Sequence, residues 1–370
     1  MKKPLKVLYT NYHDGYGGGH TTYLMALANS PLTINYVATP TSSDLYQFLQ
    51  ASGFNKLLPV GFARKPKHLG LLFKSAKKIA RFIEEHEIDI VHANGDADNR
   101  TVYLAKYFCK RPFKHVFTKH NSHPITNFIA KRKFKKLDGV IFVARSIKRT
   151  LGIKPLTLNH TVIENGVNTT HWQLKDEPKL PADATYLDTD KIRLTSIAGT
   201  MHYKGWHNLV NALKTLPAEI RSKFVVTLVG KTIPELRKLN WCNGDYLSEQ
   251  VHFIGFKTDP RAYLAHSDIG FVLSHEVETI SFACREMMSM GLPMIVSDYA
   301  GLPDNVDNDI NGWITQTNDV ESIAKVLKNI ATMTPKTLSQ MKQAARKKAE
   351  QEFAIAPMLE KTQALYLSCQ

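Results

Sequence analysis

At 370 residues the chain has room for two domains, and its 43% hydrophobic and 22% charged content is that of an ordinary globular protein. No apolar run reaches the roughly 18 residues of a membrane-spanning helix, the basic-then-apolar start MKKPLKVLYTNYHDG reads as a first strand rather than a signal peptide, and Cys109, Cys242, Cys284 and Cys369 are scattered without a CxxC pair, as reduced cytosolic thiols are. The net charge of +15 sits wholly in the first half, where residues 1–165 hold 26 Lys+Arg against 10 Asp+Glu while the rest hold 22 against 23, so this half calls for an anionic partner: membrane lipid, phosphorylated saccharide or nucleic acid.

In chain order, residues 6–11 read as a strand and 21–29 as a helix. Between them HDGYGGGH is a glycine loop, which lets backbone approach a phosphate or a sugar closely. His20 breaks the strict GxGxxG fingerprint, so a dinucleotide site is weakly supported. Further strands are predicted at 34–39, 88–93, 115–118 and 140–144. KSAKKIARFIEE, 74–85, puts Ala76, Ile79, Ala80 and Ile83 on one helix face. The alternation predicts a parallel α/β sheet, whose ligand-bearing loops follow the strands. His120, in FTKHNSH, follows a strand directly, although a lone histidine is more often structural. His92 and Asp96 follow the strand before it. Arg145 and Ser146 follow the next one and are placed to face a diphosphate. Two basic runs, RKPKH (64–68) and KRKFKK, the latter holding Lys131, Arg132, Lys133, Lys135 and Lys136, read either as solvated faces or as seats on an anionic bilayer. The second is interleaved with Phe128, Ile129, Phe134 and Leu137.

TVIENGVNTTHW, 161–172, carries the turn signal Asn165-Gly166, and 174–190 is loosely composed. The domain boundary is placed there, giving domains 1–170 and 171–352. The second half repeats the alternation, with strands at 192–198, 225–230 and 251–256. GTMHYKGWHNLVNAL puts Leu209, Val210 and Leu213 on a helix face. Lys204 stands at the start of that helix, where the dipole disfavours a cation unless an anion is near. Residues 322–352 read as charged helix.

SHEVETISFACREMMSMGLPMIV, 274–296, follows an apolar strand at 269–273. Ile280, Ala283, Cys284, Met287 and Met288 recur on one helix face, Gly291 stands where a helix C′ glycine belongs, and Pro293 leads into another strand. Glu278 is placed at the helix start and Glu286 eight residues on. A helical rise would separate them by about 12 Å, too far for a glycoside hydrolase pair at roughly 5–9.5 Å and about the span from a sugar to a ribose across a diphosphate. Glu278, Phe282 and Glu286 share the face opposite the apolar stripe, and the helix N-terminus suits a phosphate. Two solvated glutamates would show the same spacing.

Glu278-x7-Glu286 followed by GLP and an apolar strand resembles the signature of retaining glycosyltransferases of family four with the GT-B fold, among them lipopolysaccharide core enzymes. The resemblance covers most of the chain and is strongest over 192–315. It implies two Rossmann-like α/β domains facing across a cleft, with a C-terminal helix, 353–370, crossing back to the first. In such enzymes the first glutamate contacts the donor sugar and the second the ribose, which implies catalytic roles for Glu278, Lys204 and His120. It implies donor contacts from Gly18, Gly19, Arg145, Gly199, Thr200, Lys204, Ile254, Thr279, Ile280, Ser281, Phe282 and Glu286, with His20 and the basic run at 131–136 on the acceptor or membrane side. Three positions depart from the pattern. Thr200 replaces a basic residue, for which Arg145, His202 or Lys231 would compensate, and Thr279 and Ser281 replace glycines.

The implied activity moves a hexose from a nucleotide sugar, UDP-linked by preference, to a saccharide acceptor that is lipid-linked, such as lipopolysaccharide core. The implied location is cytoplasmic, peripheral on the inner face of the bacterial inner membrane. No DxD-like metal site is evident, and neither a metal nor a cofactor beyond the nucleotide sugar is expected. A nucleic-acid partner lacks a reader motif, and no protein partner is evident. Two other readings stay open: a nucleotide-sugar 2-epimerase of the same fold, and, because of these departures, a non-catalytic saccharide-binding protein.

Overall fold

Apolar, β-branched runs bounded by turns build two parallel sheets. The computed structural model describes residues 3–15, 18–65, 67–121, 124–126, 128–145, 147, 159–174, 179–242 and 244–370. Ser146 lies outside them, as does the side chain of Ile129. The chain divides into two units, Met1–Gly166 with Ile355–Gln370, and Val167–Ala354.

The first unit holds β1 (Lys6–Thr10), β2 (Ile34–Thr39), β3 (Leu57–Pro59), β4 (Ile90–Ala93), β5 (Lys114–Lys119), β6 (Gly139–Phe142) and β7 (His160–Val162), in the order β3-β2-β1-β4-β5-β6-β7. Val7, Leu8, Val91, Val116 and Ile141 are fully buried in it. Its helices are α1 (Gly19–Ala28), α2 (Asp44–Ala51), α3 (Leu69–His86), α4 (Asp96–Ala105) and α5 (Phe128–Phe134). The face predicted for α3 is the buried one, and the helix starts earlier, at Leu69. The C-terminal helix Ile355–Ser368 belongs to this unit. Its Tyr366 hydroxyl lies 2.6 Å from His92 Nδ1, and His92 Nε2 lies 2.6 Å from Thr118 Oγ1. His92 is therefore a residue of β4 itself, not of the loop after it. Burial pushes its pKa down to about 3, and both ring nitrogens are committed, Nδ1 to the C-terminal helix and Nε2 to the neighbouring strand β5.

The second unit holds β8 (Ile192–Ser196), β9 (Phe224–Leu228), β10 (Val251–Phe253), β11 (Ile269–Val272), β12 (Met294–Ser297) and β13 (Gly312–Thr315), in the order β10-β9-β8-β11-β12-β13. Its longer helices are α6 (Trp206–Thr215), α7 (Phe282–Ser289), α8 (Val320–Ile330) and α9 (Pro335–Glu352). One apolar core packs Trp206, Leu209, Leu213, Phe224 and Phe271, and another packs Met287, Met288, Leu302, Ala349 and Phe353. The charged stretch 322–352 is two helices rather than one. Thr334 caps the second, accepting from the Thr337 N–H at 3.1 Å, and Pro335 takes the first helical position. Strand order reverses between β1 and β4 and again between β8 and β11. Loops leaving neighbouring strands in opposite directions open a crevice at such points.

Candidate active site

β8 and β11 are hydrogen-bonded neighbours, so residues 197–205 and 273–281 leave the sheet side by side at its switch point. Gly205, at φ 71°, lies so close to this edge that a Cβ would stand 1.9 Å from the Leu273 carbonyl oxygen. That approach seats Lys204 Nζ 2.8 Å from Glu278 Oε2, with side chains only 18% and 10% exposed. Ser274 Oγ donates to the same carboxylate oxygen at 3.3 Å, and the Thr279 N–H to the other at 3.1 Å. The structure thus joins two predicted catalytic residues in an ion pair, which the sequence spacing did not reveal.

Helix α7 begins at Phe282, so Glu278 lies in the turn before it and helical rise does not set its distance from Glu286. The cause is Ser281, whose φ of 57° and ψ of 100° leave the helical path, while its Oγ accepts from the Cys284 N–H at 3.3 Å as a cap. Glycine adopts that backbone region freely, and Ser281 is one of the positions where the resemblance implies glycine. The N–H groups of Ile280, Ser281 and Phe282 have no partner among the described residues. Ile280 offers a ligand little else, since its side chain is 2% exposed and its carbonyl accepts from Asn305 Nδ2 at 2.8 Å. Phe282 is half-buried. Glu286 is also half-buried, and its carboxylate has no hydrogen-bond partner among the described residues; burial raises its pKa to about 7.

Around this centre, Gly199 takes φ 85° with nothing near its Cβ position. Thr200 is buried and structural in its contacts: its Oγ1 accepts from the Lys231 N–H at 2.6 Å, and its carbonyl from Trp206 Nε1 at 3.0 Å. Ile254 follows β10, its N–H committed to the Leu228 carbonyl at 3.1 Å. Arg285 carries no signal in the sequence pattern, yet it is fully buried, with Nε donating to Asn305 Oδ1 at 2.8 Å and its guanidinium 4.1 Å from the Phe353 ring centre. It fixes the loop whose Asn305 holds Ile280.

In the first unit, Gly18 (φ 52°) and Gly19 open α1, and His20 follows. His20 lies 4.6 Å from the His13 ring and 4.2 Å from His120, which in turn lies 5.0 Å from Tyr23. His120 follows β5, as predicted, and its Nε2 bonds Asn94 Oδ1 at 2.7 Å. Burial, then the neighbouring His13, lowers the His20 pKa to about 4; burial, then His20, holds His120 well below the usual histidine range. Neutral imidazoles of this kind hydrogen-bond sugar hydroxyls without adding charge. Below them Asp98 is fully buried, and burial raises its pKa to about 7 against the Thr10 hydroxyl at 2.6 Å. Arg145 is exposed just after β6.

Both basic runs of this unit touch α4, through the Arg64 carbonyl, which accepts from Arg100 Nη2, and through Lys133, which lies over the Tyr103 ring. Leu69, Leu71 and Phe73 are exposed at the start of α3, beside Lys74, Lys77 and Lys78. Lys77 lies over Phe108, which packs on Phe73. Lys133 of α5 lies over Tyr103, which packs on the exposed Tyr107. Phe134 and Leu137, taken above as companions of the charges, point inward instead: Phe134 is 4% exposed and stands edge-on to Phe117 at 6.3 Å. Phe128 stays outside at 75% exposure, and Arg132, Lys133, Lys135 and Lys136 are exposed, with Lys131 half-buried. Among the described residues no helix is long and apolar enough to cross a membrane.

Residues 183–348 match the family model Glycosyl transferases group 1, and residues 18–171 match Glycosyltransferase Family 4. The amylovoran biosynthesis glycosyltransferase AmsK of Erwinia amylovora is 29% identical over 174 residues, 44% of this chain and 41% of that protein. The UDP-Gal:alpha-D-GlcNAc-diphosphoundecaprenol alpha-1,3-galactosyltransferase of Escherichia coli is 30% identical over 146 residues, 40% of this chain and 37% of that protein. These matches span about two fifths of each relative. In fold, the chain resembles Anabaena Alr3699/HepE, solved in complex with UDP-glucose, with a TM-score of 0.77 and 18% identity over 98% of this chain and 100% of that one.

Proposed function

The chain belongs to the glycosyltransferases of group 1 and family 4, with their GT-B fold, and we propose that it moves a hexose from a UDP-sugar to a lipid-linked saccharide acceptor, such as lipopolysaccharide core, with retention of the donor's anomeric configuration. The observation that carries this reading is the Lys204–Glu278 pair at 2.8 Å, set beside the unpartnered N–H groups of 280–282. The donor diphosphate draws the Lys204 ammonium and those N–H groups, and Glu278, released from the pair, takes sugar hydroxyls. Glu286 takes the ribose and the segment at Ile254 the base. Negative charge grows on the leaving diphosphate as its bond to the anomeric carbon breaks, and a mostly buried cation held in place stabilises it there. The acceptor oxygen bonds that carbon on the same face, and its proton passes to the departing phosphate. No step calls for a metal.

UDP is favoured because it is the carrier in the galactosyltransferase's name and in the Anabaena complex. A lipid-linked acceptor is favoured by the diphosphoundecaprenol acceptor of the same relative and by the basic surface with exposed Phe73, Tyr107 and Phe128. Such a surface seats the protein on the anionic cytoplasmic leaflet of the bacterial inner membrane. The test is a thermal-shift panel of nucleotide sugars followed by turnover on the donor that binds. Lys204→Ala and Glu278→Ala are expected to lower turnover by about two orders of magnitude. A shift with GDP-mannose and none with any UDP-sugar refutes the donor. Near-full activity of Glu278→Ala refutes the assigned site, and release of free UDP at full rate without acceptor points to the epimerase instead.

A further inference from the structure

Three histidines that the proposed transfer does not use stand beside the Lys204–Glu278 pair. His202 opens the turn His202–Lys204, His207 is the second residue of α6, and His275 follows β11. One ring nitrogen of each lies within 4.8 Å of one from each of the others. His202 and His207 stack at 4.0 Å with 13° between planes, and His275 stands edge-on to both at 5.7 Å.

Ring packing accounts for the stack but not for the polar atoms. His207 Nδ1 is buried with no hydrogen-bond partner, an arrangement native proteins avoid unless a ligand or water answers it. His275 Nε2 donates to the His202 carbonyl at 3.3 Å, which leaves Nδ1 with the lone pair. A carbonyl on the outer nitrogen is the usual way a metal-bound imidazole is oriented. The adjacent cation, Lys204, is already neutralised by Glu278.

We propose that His202, His207 and His275 bind a zinc-class divalent cation, which ties the loop after β8 to the loop after β11. Three imidazole nitrogens with a fourth position open suit Zn²⁺ at bond lengths of about 2.0–2.1 Å. Closing the triangle from 4.8 Å takes side-chain rotation on the order of 1 Å at these bond lengths. Exposed Glu276, with Oε1 3.8 Å from His275 Nδ1, is the nearest carboxylate for the fourth position. The His275 N–H already bonds the Tyr203 carbonyl at 2.9 Å, so the ion reinforces a junction that exists without it. The site stands independently of the transferase reading, and no bond made or broken in that reaction passes through the ion.

The test uses full-length, tag-free protein stripped of metal. Equilibrium dialysis against Zn²⁺ should give one ion per chain, and Co²⁺ should give the absorption of a tetrahedral site. His202→Gln, whose side chain is exposed and whose loss leaves the core intact, should weaken zinc binding at least about ten-fold, as should His207→Gln. Zinc should slow amide hydrogen exchange over 197–205 and 273–281 in the wild type and not in either variant. No stoichiometric zinc in the wild type overturns the proposal. So does unchanged affinity in both variants, or zinc bound with no protection of the two loops.

Discussion

Replacing Glu286 by glutamine removes a charge and almost no volume. The carboxyl pKa is raised from 4.5 to about 7 by burial, so the native state holds its proton longer than the unfolded chain does. Stability is therefore fullest below the unfolded value and is lost as pH rises through about 7. At about 1.36 kcal/mol per unit the ceiling is about 3 kcal/mol, and solvent screening of a half-buried group reduces this to about 1–2 kcal/mol. Glu286→Gln should thus match the wild type at pH 4.5 and exceed it at pH 8 by about 2–8 °C in Tm, given about 2–4 °C per kcal/mol for a unit of this size. Calorimetric melts at the two pH values read this directly. A second arm reads the ligand. If ribose hydroxyls answer the ionised carboxylate, wild-type UDP affinity should tighten as pH rises through about 7, and the variant should bind weakly with no such slope. A variant whose advantage over the wild type is no greater at pH 8 than at pH 4.5, or a wild type whose UDP affinity ignores pH, refutes the burial argument and the ribose contact respectively.

Gly205→Ala should cost about 1–3 kcal/mol in urea unfolding, because the new Cβ would stand 1.9 Å from the Leu273 carbonyl oxygen at a φ of 71°; an unperturbed midpoint would contradict the close approach. Ser281→Gly should stay within about 0.5 kcal/mol of the wild type, since relief of its φ of 57° offsets the lost cap, whereas Ser281→Ala should lose about 1 kcal/mol in the same assay. For Asp268, burial raises the pKa, but Arg193 (2.8 Å) and Lys342 (2.9 Å) outweigh it and hold the carboxyl below its ordinary value. Asp268→Asn should then cost about 1–3 kcal/mol at pH 7, and that gap should close as pH falls through the depressed pKa; a gap that persists in acid counts against the ion pairs. Changing Lys131, Arg132, Lys133, Lys135 and Lys136 to Gln should lower co-sedimentation with phosphatidylglycerol vesicles at least ten-fold at low salt, at about 1 kcal/mol per basic residue near the leaflet. Equal wild-type binding to neutral vesicles would remove the membrane reading.

What was legible in the sequence is what repeats with a period or obeys a local steric rule. Ala76, Ile79, Ala80 and Ile83 announced their buried face, and Gly291 sits at φ 82° just past α7, as its place before Pro293 implied. What was not legible depends on contacts distant in sequence or on a single backbone angle. Ile280 continues the helical phase of Cys284 and Met287, so the pattern ran one turn too far; only the Ser281 φ of 57° shows that the helix has not begun. Phe134 and Leu137 read as part of a basic run because the sequence does not show that Phe117 waits behind them. β3 has three residues, too few to show alternation. The boundary between the last two helices of the second unit was present as Thr334-Pro335, a cap followed by proline at the first helical position, and composition obscured it. The site is the extreme case. Lys204 and Glu278 lie 74 residues apart, as do His202 and His275 within one residue of that separation, and no pattern in either segment points to the other. They meet because β8 and β11 are neighbours where the strand order reverses. A fold of this kind gathers its chemistry by topology, so each segment shows its residue types in advance while their pairing appears only once the sheet is assembled.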